Sequence, residues 1–429
     1  LRVRTGLSDR LEPFQASLSI TVNVCDIVVA RPSQHYPLAP TERGMRWPLS
    51  YDVIVIGVGG MGSAACWQLA RRGLRVLGLE RFDIPHAMGS SHGISRIIRL
   101  PYYEDPAYVP LLHRAYELWA EAERATGETL LVTTGSIDAG PEDDALFQGA
   151  LASARLHGLA HDVLSGAEVN ARFPGYRLAA SARAVFQPQG GLIASERAIV
   201  AHVRAAQAAG AVIQARERVL SWEVRPSGGV AVRTDKGEYE ATRLVLAAGP
   251  WMSELAAPLA GLAVPERQVL AWLQPLQPEL FTPEAFPVFN LQVDEGRYYG
   301  FPVYEVPGFK FGRYHHRGET SSADGVRREV DPADEALLRQ FGERYFPAGS
   351  GPTMALRTCL FTNTADEHFV LDHHPDHRQV ILVSPCSGHG YKFCSVIGEI
   401  VADLATGDGT TRHEIGFLRL DRPGINGDM

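Results

Sequence analysis

Tyr51-Asp52-Val53-Ile54-Val55-Ile56-Gly57 runs directly into Val58-Gly59-Gly60-Met61-Gly62. A short β-branched apolar run that closes on glycine is the pattern of a strand buried in a parallel sheet. From Gly57 to Gly62 the spacing is GxGxxG. It predicts a helix over 63–72, with Ala65 and Leu69 on the apolar face and Gly73 as its stop. Arg75–Glu80 then reads as a second strand, ending in an acid about 20 residues beyond the glycines. The glycines permit a tight turn and let backbone N–H groups and a helix N-terminus approach a pyrophosphate, while Glu80 is placed to accept from a ribose diol. Strand, loop, helix, strand and acid in register predict a dinucleotide-binding Rossmann unit. The acid disfavours a 2′-phosphate, which argues against NADP and leaves FAD and NAD.

The rest of that unit is scattered along the chain. Arg243–Trp251 (RLVLAAGPW) reads as another buried strand closing on small residues. Within Ala208–Leu220, a helix end and the stop Gly210 are followed by one strand over 211–220. Near the far end, VILVSPC (380–386) reads as a buried strand leading into Ser387-Gly388-His389-Gly390, with a helix opening near Lys392 and ending at Gly407. Pieces at both ends and in the middle imply a discontinuous domain with another inserted. Residues 1–50 show no helical or strand period and no signal-peptide pattern, so 1–44 are expected to be an extension upstream of a working start at Met45.

Composition narrows the function. The chain has 429 residues, 45% hydrophobic and 21% charged, with a net charge of −8. There is no basic surplus to neutralise nucleic acid or anionic lipid, and no apolar run approaches the roughly 18 residues of a membrane span. The five cysteines form neither a disulfide framework nor a CxxC metal pair. Cys66 and Cys394 fall on expected helices as small buried residues. A cytoplasmic enzyme without nucleic-acid or membrane partners is the expectation. Among 41 basic residues only Lys236, Lys310 and Lys392 are lysines. Where arginine serves every ordinary need for charge, a retained lysine marks a place for a compact, deprotonatable ammonium. Lys236 sits in a plain turn, but Lys310 and Lys392 lie in aromatic, glycine-rich surroundings.

Four further segments carry candidate chemistry. Gly89–Gly93 formally matches a GxSxG nucleophile elbow, but the flanking strand and helix are missing, so a Gly/Ser turn is the better reading. Arg96 and Arg99 follow it around Ile97-Ile98, which predicts partial burial and an anion partner. Arg297–His316 alternates aromatic and small residues as antiparallel strands do, with Lys310 between two phenylalanines, where burial lowers its pKa. Thr358-Cys359-Leu360-Phe361 precedes a segment holding His373, His374 and His377, which lacks a second ligand cluster and is expected to be a solvated loop without metal. Ser387–Gly390 is a small-residue loop at a helix N-terminus, suited to an anion or a flavin edge.

Taken in order, the GxGxxG unit, Ser91-His92-Gly93 with Arg96–Arg99, YYGFP (298–302) with Lys310, RTC to DEHF (357–369) and SGHGYKF (387–393) make the chain similar to the monomeric sarcosine oxidase and N-methyltryptophan oxidase family of FAD-dependent amine oxidases. The resemblance spans about Tyr51 to Pro423. It implies an α/β fold with a discontinuous Rossmann-type FAD-binding domain of the glutathione-reductase type and an inserted, mixed but largely antiparallel substrate domain. On this chain the FAD domain is expected over 45–125, 190–262 and 367–429, and the substrate domain over 126–189 and 263–366.

The resemblance also implies roles. Cys359 would carry the flavin as an 8α-thioether, with Gly57, Gly59, Gly60, Met61, Gly62, Glu80, Ser91, Arg96, Val219, Gly249, Gly388, Gly390 and Lys392 at the cofactor. His92 and Arg96 would lie beside the ring, Arg99 and Lys392 would hold a substrate carboxylate, and Tyr299 would line the pocket with Glu104 at its mouth. Lys310 would assist oxygen reduction. The expected reaction of this expected monomer is oxidation of a secondary α-amino acid to an imine, with O₂ reduced to hydrogen peroxide. The alternatives are a non-covalent FAD amino-acid dehydrogenase and a non-enzymatic dinucleotide-binding module. Ser91, Tyr314 and Phe361 depart from the family pattern of histidine, histidine and tyrosine, which puts sarcosine itself in doubt as the preferred substrate.

Overall fold

In the first sheet, Ser50–Ile56 lies parallel between Val76–Leu79 and Glu238–Leu246. The structure, a computed structural model, describes residues 50–384 and 387–426. The expectations for 1–44, the Met45 start, Cys25 and Cys386 lie outside the described residues. The outer neighbours are Val212–Gln214 on one side and, on the other, His377–Ser384, which pairs in parallel with the second half of Glu238–Leu246. The first half of that long strand pairs antiparallel with Val230–Thr234, and Val219–Val224 follows at the edge. Helix Gly60–Ala70 packs against Ser195–Ala208 and Cys394–Leu404, closing one face with small residues.

Among the described residues the second sheet holds eight strands, and Ser136–Gly140 beside Val288–Val293 is its only parallel pair. The mixed, largely antiparallel sheet expected from the resemblance is present. Its two faces follow the period of two. Phe289, Phe309 and Phe311 point to one side, where Phe341 of helix Pro332–Tyr345 joins an aromatic core. Asp138, Asn290, Tyr299, Lys310 and Cys359 occupy the alternate positions and share the opposite side. A small antiparallel sheet of Ser95–Ile98, Gly191–Ala194 and Leu131–Thr133 completes the strands. Among the described residues, no helix is long and apolar enough to cross a membrane.

Several local expectations are corrected. The helix expected at 63–72 is Gly60–Ala70, because the glycines themselves form its first turn. The strand expected over 211–220 is two strands on opposite edges of the sheet, separated where Arg216 takes a φ of 55°. Glu217 in that gap accepts from Thr234 Oγ1 at 2.7 Å and Tyr239 OH at 2.8 Å, tying the crossing chain down. The strand expected over 243–251 stops at Leu246, and Gly249–Trp251 is a 3₁₀ turn in which Pro250 has no N–H for a ladder. The histidine segment is an antiparallel hairpin of Val370–His374 and His377–Ser384 rather than a solvated loop. Its apolar alternation wins over its polar tip: His374 is buried and stacks on His377 at 4.9 Å. The last helix is Cys394–Leu404, entered through the 3₁₀ turn Tyr391–Phe393.

Behind the aromatic core, Arg267 pairs with Asp334 at 2.7 and 3.0 Å, both buried, and His316 reaches the same carboxylate at 2.9 Å. Removing one partner of a buried pair leaves the other charge uncompensated. Asp334→Ala is therefore expected to lower unfolding stability by about 3–5 kcal/mol, read as the shift of a urea unfolding midpoint. A shift no larger than that of a surface carboxylate substitution would contradict this account.

Candidate active site

The glycine turn is built so that only glycine fits. Gly57 takes a φ of 90°, and a Cβ there would stand 2.5 Å from the carbonyl oxygen of Ala247. A Cβ on Gly62 would stand 1.7 Å from the Gly57 oxygen. The N-cap residue of the helix that follows, Gly59, offers no side-chain cap; Gly60 N is taken by Ser91 Oγ, and the next amides and the positive end of the dipole are available to an anion. Glu80 is fixed from two sides, accepting from Val58 N at 2.9 Å and Phe82 N at 3.0 Å. Burial alone would raise its pKa, but His86 and these amides hold it below the usual carboxylate value. The carboxylate stays charged beside the turn and keeps lone pairs for a diol.

A cavity of about 340 Å³ runs from this turn to the second sheet. Gly57, Gly59, Gly60, Met61, Glu80, Ser91, Val219 and Gly249 line its first part. Arg96, Arg99, Tyr299, Cys359, Gly388, Gly390 and Lys392 line the remainder. Of the site residues singled out from the sequence, Gly62, His92, Lys310 and Glu104 are not on its wall, Glu104 lying behind Arg99 rather than at the mouth. Gly62 lies within the turn. His92 is buried, and burial together with the Arg96 and Lys310 cations brings its pKa down to about 3, so it is neutral. Lys310 Nζ donates to the Gly93 and Ser95 carbonyls at 2.7 Å each and to Ser95 Oγ at 3.1 Å, and lies 4.1 Å from the Phe301 ring centre. Burial, then the neighbouring Arg96 cation, draws its pKa well below the ordinary lysine value, as expected for a lysine among aromatic rings.

The segment from Ser90 to Arg96 is held from several directions. Ser91 Oγ accepts from Gly60 N at 3.2 Å. Glu196 accepts from Gly93 N at 2.6 Å and Ile94 N at 2.9 Å, clamping Ile94 at a φ of 74°, which a β-branched residue adopts only under constraint. Arg96 donates to Ser90 O at 2.7 Å and Ser95 O at 2.9 Å, and its Nη2 stands 3.6 Å from Cys359 Sγ. Cys359 is a free, buried thiol.

Arg99 has the anion partner that its setting demands, and in fact two. Its Nη2 donates to both Glu104 oxygens at 2.8 and 2.9 Å, and Nε lies 3.5 Å from Asp138 Oδ1. The guanidinium carbon is 4.5 Å from the Tyr102 ring centre and 4.4 Å from that of Tyr103. Burial is complete rather than partial. Glu104 is held to about 2: burial opposes the charged form, but Arg99 outweighs it. For Asp138 burial prevails and pushes the carboxyl up to about 6. Lys392 Nζ donates to His389 O at 2.7 Å and to Tyr102 OH at 3.3 Å. Burial, then the Arg99 cation, brings its pKa down to about 7.

Sequence reasoning missed Asp138, Asn290 and Glu196. Each sits inside an otherwise ordinary element: SIDAG, VFNLQV and the first turn of the helix at Ser195. The available signal was one polar residue in a buried strand. Of the departures from the family pattern, Tyr314 meets Tyr299 at 5.2 Å and Phe361 at 5.6 Å, making one aromatic wall of the cavity.

A dinucleotide cradle opening into an aromatic, cation-lined chamber defines a dinucleotide-dependent oxidoreductase. The chain belongs to the FAD dependent oxidoreductase family DAO, whose model matches residues 52–404. It is 41% identical over 380 residues to a monomeric sarcosine oxidase of Streptomyces avermitilis, covering 86% of this chain and 97% of that protein. It is 34% identical over 359 residues to N-methyl-L-tryptophan oxidase of Yersinia pestis, covering 83% and 95%. Among solved structures it is similar to NikD, an amino acid oxidase essential for nikkomycin biosynthesis, with a TM-score of 0.75 and 27% identity over 86% of this chain and 97% of that one. The helix N-terminus, the glycine-only turn and the fixed Glu80 fit FAD.

The state of Lys392 has a measurable consequence. Its ammonium form prevails below about pH 7 and is lost above it. Anion affinity of the chamber should therefore fall as pH rises through 7, with the midpoint displaced upward once an anion is bound. Calorimetric titration of methoxyacetate between pH 6 and 9 is expected to show a loss of about tenfold, the worth of one charge-assisted hydrogen bond. Lys392→Met should remove most of that dependence, and an unaltered pH profile in this variant would exclude Lys392 from anion binding.

Proposed function

We propose that the protein is a FAD-dependent oxidase of secondary α-amino acids, converting the amine and O₂ to an imine and hydrogen peroxide, the imine then hydrolysing in water. The observation that carries this reading is the pair of buried cations, Arg99 and Lys392, on the wall of the same chamber as Cys359 and the glycine turn. Relatives named for sarcosine and N-methyl-L-tryptophan support a secondary amine with a neighbouring carboxylate. FAD, when bound, supplies the two-electron oxidising centre. Gly57 to Gly62, Ser91 and Glu80 would hold its dinucleotide, with Val219 and Gly249 on the same stretch of wall, and Gly388, Gly390, Arg96 and Cys359 would receive its ring end, Cys359 being the proposed point of covalent attachment.

The protein's own groups then have distinct tasks. Arg99 and Lys392 orient the substrate carboxylate, with Glu104 yielding part of the Arg99 fork as the new anion arrives. Tyr299, Tyr314 and Phe361 exclude water and bound the space beside the reacting carbon. His92 lies buried and neutral behind the wall, within the loop that carries Arg96. Lys310, also behind the wall, supplies positive charge for oxygen reduction from its cage of three oxygens. The aromatic wall of Tyr314 and Phe361 disfavours sarcosine as the best substrate. The relatives named monomeric sarcosine oxidase support a monomer, and a reducing cytoplasm suits the free thiols.

The visible spectrum before and after acid precipitation tests the cofactor assignment. A yellow protein whose colour stays with the polypeptide is expected, together with a Cys359→Ala variant that releases its flavin or fails to incorporate it. Flavin freely extracted from the parent would exclude covalent attachment and favour a reversible dehydrogenase. For Lys310→Met, stopped-flow measurement should show anaerobic bleaching by amine surviving better than the return of colour in O₂. The latter is expected to slow by about 10²–10³-fold, several kcal/mol of lost charge stabilisation. Equal rates of colour return in parent and variant would end the oxygen role for Lys310.

A further inference from the structure

We propose that Asn290, positioned by Asp138, is a specificity-determining residue that accepts a hydrogen bond from the substrate's side chain, selecting secondary amino acids that carry a hydroxyl, amide N–H or ammonium beyond the α-carbon. This deepens the proposed function and rests on it. Asp138, Asn290 and Tyr299 are direct cross-strand partners on three adjacent strands, so all three side chains leave the same face of the second sheet. That face meets the cavity, with Asn290 and Tyr299 on its wall and Arg99 beside Asp138.

The orientation of the Asn290 amide follows from its neighbour. Asn290 Nδ2 donates to Asp138 Oδ1 at 2.7 Å. An ionised carboxylate can only accept, so the amide must turn its N–H₂ end toward Asp138 and its carbonyl end away. Arg99 Nε, 3.5 Å from the same Asp138 oxygen, favours that ionised form. Asn290 is 2% exposed, and its Oδ1 accepts no hydrogen bond from the described residues. Asn290 lies on the chamber wall, where that oxygen is open to a donor carried by a ligand.

A merely structural pair would need none of this. The two strands are already joined by their backbone ladder, and their neighbours Ile137 and Phe289 pack as ordinary apolar residues on the other face. A substrate donor would satisfy the Asn290 oxygen, while an apolar group of the same size would leave it unpaired. Sites built around a buried acceptor discriminate against the analogue lacking the donor more strongly than apolar pockets discriminate by size.

The test compares compounds that differ by a hydroxyl against a methyl. N-methylserine and N-methyl-2-aminobutyrate, each as both enantiomers, are the substrate pair. 2-Methoxy-3-hydroxypropanoate and 2-methoxybutanoate, which cannot form an imine, are the binding pair, measured by calorimetry on the FAD-loaded protein. The hydroxylated member is expected to be favoured by at least about tenfold in kcat/KM, mainly through KM, and by a similar factor in Kd. Asn290→Leu should bring both ratios to about one. Asp138→Asn, which also takes a carboxylate away from Arg99 and so affects both substrates, should raise KM more for N-methylserine than for N-methyl-2-aminobutyrate, with partial recovery of the ratio in Asp138→Glu. Ratios near or below one in the parent protein, which need no substitution to measure, overturn the proposal, as does a ratio that Asn290→Leu leaves unchanged. If the methoxy pair shows the ratio while neither N-methyl compound is oxidised, the subsite stands and the proposed reaction fails. If both are oxidised equally well, the reaction stands and the subsite fails.

Discussion

A guanidinium sealed from water has to be neutralised where it sits, and the chamber is organised around that requirement at Arg99. Glu104 comes from the loop that follows it and Asp138 from the second sheet, while Tyr102 and Tyr103 cover its flat faces. Two stretches of chain, the loop from Arg99 to Glu104 and the strand of Asp138, must be in place before the charge is tolerable, and removing either acid would expose the imbalance. The same arrangement sets the electrostatics of the neighbouring groups. Arg99 keeps Glu104 ionised against its burial and helps to lower Lys392 into the neutral range. The chamber therefore contains one permanent cation already shared between acids and one adjustable cation beside it.

The segment from Ser90 to Arg96 provides the mechanical counterpart. It hydrogen bonds to the glycine turn through Ser91, to the helix at Ser195 through Glu196 and to the second sheet through Lys310. A loop fastened on all these sides has little freedom left to lose when a ligand arrives, which is how a preorganised site avoids the ordering cost of binding. The constrained backbone at Ile94 is sustained by these contacts rather than by its own preference.

Much of this was legible in the sequence because the relevant signals are local. The glycine turn, Glu80 and the retained lysines each announce themselves within a few residues, and the structure gathers most of the singled-out positions on one cavity wall. What was not legible depends on neighbours far apart in the chain. Residues 211–220 look like one strand because nothing local reveals that the chain passes to the opposite edge of the sheet. His374 looks exposed until the hairpin pairs it with its partner strand. Asp138 and Asn290 are unremarkable in SIDAG and VFNLQV, and acquire meaning only when a parallel pairing sets them side by side. The same is true of Lys310, whose burial followed from FKF but whose three oxygen partners come from residues more than two hundred positions away.

The order of strands in the first sheet also has a bearing on synthesis. Ser50–Ile56 and Val76–Leu79 emerge early, whereas His377–Ser384 and the helix Cys394–Leu404, which packs on the glycine-turn helix, emerge about 300 residues later. At about 5–20 residues per second that interval is roughly 15–60 s. During it, the apolar flank of helix Gly60–Ala70 and one margin of Glu238–Leu246 have no final partner. The second sheet, whose strands all lie between Ser136 and Asn363, waits less, its longest interval being the roughly 150 residues from Ser136–Gly140 to Val288–Val293. On the ribosome the substrate-facing sheet can consolidate first, and the nucleotide cradle is the last part of the molecule to close.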